Sequence, residues 1–218
     1  MGAIACELDH LVVTAPTLAV GVAWVDAILG VAPQASGEHQ RMGTHNALLR
    51  LGDARYLEVL AINPAAPPPG RPRWFALDGT ASDSSPRLAG WIARTDDIRT
   101  AKAECSDQLG EIEQMTRGAL NWLITIPADG SIPGDGVVPT LIEWHTHEHP
   151  ASQLENQGCS LVGLEAFHPN PNSVTRILDC LGVQRVVVVN AIPVGERPYL
   201  VAHVNTRNGP RTIGGPLT

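Results

Sequence analysis

The sequence predicts an α+β fold assembled from one strand–helix–strand module written three times. Three observations carry that prediction. A β-type segment precedes a segment of helical period in three places. Each helical segment ends in Leu-Gly, at Leu29-Gly30, Leu109-Gly110 and Leu181-Gly182. The spacing also repeats: His10 precedes Gly30 by 20 residues, Gly90 precedes Gly110 by 20, and Gly163 precedes Gly182 by 19. Glycine ends many helices. The matched distance from strand to helix end is what marks a repeat.

Taken in order, LDHLVVTA alternates and is β-branched, which reads as a strand. Thr17 can cap a helix, and Leu18, Val22, Val25 and Leu29 line one of its faces up to Gly30. Strands are expected near 33–40, at NALLRL (46–51) and at RYLEVLAI (55–62). The order recurs with a strand at RLAGWIART (87–95), a helix from Asp97 to Leu109, and strands at ALNWLITI (119–126) and VVPTLIEWH (137–145). It recurs again with LVGLEAF (161–167), a helix from Ser173 to Leu181, VVVVNAI (186–192) and YLVAHVNT (199–206). The modules therefore span 1–64, 87–150 and 159–214. A stiff Pro-rich link, NPAAPPPGRP, and a loop to residue 86 join the first two.

Bulk properties narrow the function classes. The chain has 218 residues, 44% hydrophobic and 17% charged, with a formal charge of −7. An acidic surface argues against nucleic acid or an anionic membrane as partner. No apolar run approaches the roughly 18 residues of a membrane span. The N-terminus lacks a secretory pattern, so a cytoplasmic protein is expected. The four cysteines, Cys6, Cys105, Cys159 and Cys180, show no Cys-x-x-Cys spacing and read as buried free thiols.

Candidate chemistry begins with the stretch Glu143-Trp144-His145-Thr146-His147-Glu148-His149, which is dense in ligand-type side chains. RYLEVLAI and PTLIEWHT superimpose Glu58 on Glu143. Each is a carboxylate among apolar neighbours on a strand and needs a partner. A divalent metal is one such partner; an arginine such as Arg50 or Arg94 is another. His10 is a lone imidazole between Leu8 and Val12. By strand alternation, Trp144 points opposite to Glu143 and packs, and His145 reaches the rim. His147 and His149 are expected in solvent. His39, Thr44 and Asn46 read either as turn chemistry or as polar groups facing a substrate.

LDHLV at the first strand, YLEVL at the fourth, and GEHQRMGTHNALLRLGDARYLEVLAINP (37–64) resemble the glyoxalase-like domain family of the vicinal oxygen chelate superfamily. The resemblance is sharpest over 8–64 and extends in pattern to 150. It implies two βαβββ modules pairing into a curled mixed β-sheet cup with helices outside, the third module packed alongside and extending one sheet or mediating a homodimer. It also implies a divalent ion (Zn, Ni, Mn, Fe or Mg) held by His10, Glu58 and Glu143. The remaining ligand position falls on Gly90, which cannot ligate. Glu58 and Glu143 would serve catalysis, and His39, Thr44, Asn46 and His145 would bind substrate. Such a cup would act on a small oxygenated metabolite, as a lyase, isomerase or dioxygenase does, by stabilising an enolate or oxyanion. The alternative on the same fold is a metal-free binding or sequestration protein.

Overall fold

The computed structural model describes residues 5–146 and 148–216. The first module comprises β1 (Glu7–Thr14), α1 (Leu18–Leu29), β2 (Gln34–His39), β3 (Thr44–Arg50) and β4 (Tyr56–Ile62). The second comprises β5 (Arg87–Arg94), α2 (Ile98–Cys105), β6 (Glu111–Arg117), β7 (Leu120–Ile126) and β8 (Thr140–Trp144). A one-turn helix α3 (Pro150–Gln153) leads to β9 (Ser160–His168), α4 (Pro171–Cys180), β10 (Val187–Ala191), β11 (Tyr199–Thr206) and β12 (Gly209–Gly214).

The Leu-Gly landmarks do the same job three times. Gly30, Gly110 and Gly182 have φ of 71°, 83° and 72°. That left-handed conformation turns the chain out of α1 and α4, and at Gly110 out of the 3-10 turn that follows α2, without a Cβ penalty. The preceding Leu29, Leu109 and Leu181 are wholly buried. Thr17 caps α1 as expected, its hydroxyl accepting from Val20 N at 3.2 Å.

The first two modules form one eight-stranded sheet in the order β2-β3-β4-β1-β5-β8-β7-β6. Its centre is the antiparallel pair β1–β5, and each of these strands runs parallel to the last strand of its own module. The sheet curls until its edges β2 and β6 approach, where Arg41 pairs with Glu113 at 2.5 Å. The convex face buries Leu11, Val13, Leu57, Val59, Trp91 and Ala93 beneath the helices and the second sheet. The concave face holds a separate apolar cluster that includes Val12, Leu60, Ile92, Ile124 and Ile142.

Several expectations need adjustment. Helix α2 stops at Cys105, and a 3-10 turn (Asp107–Leu109) carries the chain to Gly110. Two strands implied by the repeat had no segment assigned to them, β6 and β12. Both are edge strands of mostly polar, exposed residues, so burial leaves little hydrophobic pattern in them. The link between modules is not only loop: Trp74–Gly79 form a 3-10 segment that buries Trp74, Phe75 and Leu77 in the concave cluster. The third module does not extend the eight-stranded sheet. It makes its own four-stranded sheet, β10-β9-β11-β12, packed against α1 and β5. Cys105 and Cys180 are joined in a disulfide between α2 and α4, so only Cys6 and Cys159 are free thiols. Spacing rules for local cysteine motifs cannot see a pair 75 residues apart. Among the described residues, no helix is long and apolar enough to cross a membrane.

Candidate functional site

The concave face of the sheet forms a narrow cleft with a cavity volume of about 30 Å³. One wall is polar and comes mainly from the first module, with His10, His39, Tyr56 and Glu58, joined by Arg117 from β6. The other is apolar and aromatic, with Trp74, Phe75, Ile92, Trp122, Ile142 and Trp144.

The polar wall is organised by a bulge. The β1–β5 register slips between Leu8 and His10, leaving Asp9 as an extra residue. A bulge breaks strict alternation, and here the Asp9 and His10 side chains meet. His10 Nδ1 donates to Asp9 Oδ1 at 2.6 Å, and its ring stacks on Tyr56 with centroids 4.3 Å apart. Asp9 is completely buried. It also accepts from Trp144 Nε1 at 3.0 Å and from His149 Nε2 at 2.9 Å. His149 Nδ1 accepts from Ala151 N at 3.2 Å, so His149 is the neutral tautomer with its proton on Nε2.

His10 Nε2 faces Glu58 Oε2 at 3.6 Å. Burial opposes a charge on His10, but the carboxylates of Asp9 and Glu58 outweigh it and raise its pKa. Burial likewise opposes the Glu58 charge. The His10 hydrogen bond, the histidine charges and Asn46 prevail and hold it at about 2. Asn46 Nδ2 donates to Glu58 Oε1 at 2.5 Å while its Oδ1 accepts from Gly37 N at 3.0 Å. Burial lowers His39 to about 4, so it is neutral at pH 7. Arg117 Nη1 can only donate, and it lies 3.2 Å from His39 Nε2. His39 therefore carries its proton on Nδ1, directed at Thr44 Oγ1 at 3.2 Å.

Of the residues singled out in the sequence, His10, Glu58, His39, Thr44 and Asn46 come together on this wall. Glu143 does not join them. It lies on the opposite face of β8, where Oε2 accepts from Ile98 N at the start of α2 and Oε1 meets His145 Nε2 at 2.8 Å. His145 is thus drawn away from the rim. The residues of β8 that face the cleft are Ile142 and Trp144, paired across β7 with Ile124 and Trp122. Trp144 lines the cleft and His149 is tied to Asp9, rather than packing elsewhere or standing in solvent. His147 lies outside the described residues. Asp9, Arg117, Trp74 and Trp144 were not picked as site residues. The β-bulge that exposes Asp9 to His10 leaves no mark in the sequence. The apolar WFAL inside a Pro-rich link was a usable signal for Trp74.

A divalent ion does not fit this donor set. The first module offers His10 and Glu58, and among its described residues the second offers no ligand donor to this cleft wall. A Cβ on Gly90 would meet Ile132 Cγ2 at 3.5 Å and Phe75 Cε1 at 3.8 Å, so apolar side chains fill the space beside that position. The Arg117 guanidinium stands against His39, the nearest third donor. Among the described residues, no three His, Cys, Asp or Glu side chains are grouped to hold a metal. Catalytic sites of this kind use three protein ligands.

The family model described as a glyoxalase-like domain matches residues 8–182. No curated protein matches the chain. Among solved structures, a hypothetical protein from Staphylococcus aureus aligns with a TM-score of 0.57 at 15% identity, over 97% of this chain and 87% of its own. A Streptomyces coelicolor methylmalonyl-CoA epimerase in complex with 2-nitronate-propionyl-CoA aligns at 0.45 and 17%, over 67% and 99%. A 4-hydroxymandelate synthase mutant from Streptomyces coelicolor aligns at 0.46 and 15%, over 95% and 62%. At such identities the likeness is one of fold alone.

Proposed function

The chain belongs to the glyoxalase-like domain family of the vicinal oxygen chelate superfamily, and from that premise we propose an enzyme that works on a small oxygenated metabolite through the His10–Glu58 pair, without the three-ligand metal expected from the sequence. One observation supports this most directly. His10, fixed by the buried Asp9, presents Nε2 to Glu58 at 3.6 Å in a cleft with an apolar opposite wall.

The pair suits enolate chemistry. A carbonyl oxygen of the substrate takes the His10 Nε2–H, as an oxyanion donor would. The adjacent C–H loses its proton to Glu58, the electron pair moves onto the carbonyl oxygen, and the proton returns from Glu58 to carbon. In the resting pair Glu58 is a weak base, because His10 stabilises its charge. A substrate oxygen that engages His10 weakens that pairing and strengthens the base at the moment it is needed.

Incubation of the protein in D₂O with a panel of 1,3-diketones, hydroxyketones and 2-oxo acids tests this by NMR. Deuterium should enter beside the carbonyl of at least one class, and Glu58→Gln should lower the rate about 100-fold or more. Exchange indifferent to Glu58→Gln sinks the proton-transfer role. A stoichiometric divalent ion that His10→Ala removes sinks the metal-free reading. A second reading, binding without turnover, is supported by the tryptophan-rich wall; saturable binding with no exchange in any class would favour it.

A further inference from the structure

Among the described residues, Arg117 is the one cation of the cleft wall that the proton-transfer chemistry does not use. It stands at the end of β6, half-buried, and reaches across the sheet opening towards β2. The site is shaped for it: a Cβ at Gly37 would lie 3.0 Å from Arg117 Cδ, so the missing side chain makes room for the arginine stem. Its hydrogen-bond partner is the neutral His39 imidazole, through Nη1. Among the described residues, no carboxylate lies within salt-bridge distance of its guanidinium. Its neighbours Arg41 and Arg71 share Glu113 instead. A second donor is also spare: the buried Trp74 indole N–H, in the same cleft, has no acceptor among the described groups. Buried donors without partners are uncommon in folded proteins.

We propose that the cleft selects a monocarboxylate whose flat, unsaturated body also carries the enolisable carbonyl; aryl and arylalkenyl carboxylates are its non-reacting analogues. This deepens the reading of the cleft as the functional site and rests on it. The carboxylate meets the free side of the Arg117 fork, a geometry that guanidinium recognises better than a point charge does. The flat body lies against the Trp122 and Trp144 rings, which are themselves 5.4 Å apart. A single guanidinium beside the ionised Glu58 favours one negative charge over a phosphate dianion, whose second charge would meet the carboxylate in a small apolar space.

Equilibrium binding followed by tryptophan fluorescence and calorimetry tests this with benzoate and cinnamate against benzamide and cinnamide. The carboxylates should bind at least ten-fold more tightly than the amides. Arg117→Gln should erase that ratio, and Arg117→Lys should keep only part of it. If Arg117→Gln fails to fold, Arg117→Lys must still bind benzoate more weakly than wild type. Cyclohexanecarboxylate should bind several-fold more weakly than benzoate. Equal binding of acid and amide, a preference that survives in Arg117→Gln, or no binding of either carboxylate overturns the proposal. So does equal affinity for cyclohexanecarboxylate. Failure here leaves the Glu58-dependent exchange untouched, and loss of that exchange leaves the acid–amide ratio untouched.

Discussion

Asp9 decides how the polar wall is oriented. A wholly buried carboxylate has to be satisfied, and three N–H groups converge on it, from His10, Trp144 and His149. They come from two places far apart in the chain, which ties the floor of the cleft to the segment after β8. Replacing Asp9 by Asn removes a charge that raises the His10 pKa and leaves one donor facing another. Urea unfolding should show a loss of roughly 3 kcal/mol. Trp144→Phe removes a single neutral donor and should cost about 1 kcal/mol. Near-equal losses would mean that the indole contributes through packing rather than through its hydrogen bond. At this scale the sequence was legible where a polar residue interrupts an apolar strand, as His10 and Glu58 do. It was not legible where two neighbours in sequence point the same way, as Asp9 and His10 do. Arg117 was hidden in an edge strand whose polar pattern reads as ordinary surface.

Among elements, β8 teaches the most. Matching YLEVL to LIEWH aligned Glu58 with Glu143, yet the cleft face of β8 carries Ile142 and Trp144. Side chains in a strand alternate with period two, so a slip of one residue sends a whole strand's set to the opposite face. EWHTHEH is consequently divided by the sheet. Glu143 and His145 serve the start of α2, and Trp144 and His149 serve Asp9. The sheet edges give a second lesson. Glu113 on β6 takes Arg41 after β2 and Arg71 from the link, at 2.5 Å each. These hydrogen bonds and charges outweigh its burial and lower its pKa. A depressed carboxylate pKa stabilises the fold above the ordinary glutamate range, and the contribution fades as pH falls through the folded value. Glu113→Gln should therefore be less stable than wild type at pH 7, with the difference shrinking below about pH 4.5. A gap in unfolding midpoint that stays constant from pH 7 to pH 3 would show that the ion pairs are not its source.

For the molecule as a whole, the connections between modules matter as much as the modules. The link was expected to be a spacer, but its Trp74 and Phe75 close the concave face, and Phe75 stands beside the Gly90 position where a second-module ligand would have room. The Cys105–Cys180 disulfide fastens the third module to the second. Unfolded without reductant, the chain should titrate two thiols, Cys6 and Cys159. Reduction should lower stability by about 4 kcal/mol on loop-entropy grounds. Four reactive thiols in the unreduced protein would show the bond to be absent. The sequence by itself determined the repeated unit, the ends of the first and third modules' helices at Leu-Gly, most strands, and the pairing of His10 with Glu58 on the first module. These follow from local periodicity, from glycine's access to positive φ and from the isolation of polar residues among apolar ones. Tertiary structure alone decided which face of β8 meets the cleft, that Asp9 turns towards His10, that Arg117 arrives from the far edge, and that two distant cysteines meet. Those outcomes depend on register, bulges and closure of the sheet, which arise from contacts between segments far apart in the chain and leave no local pattern to read.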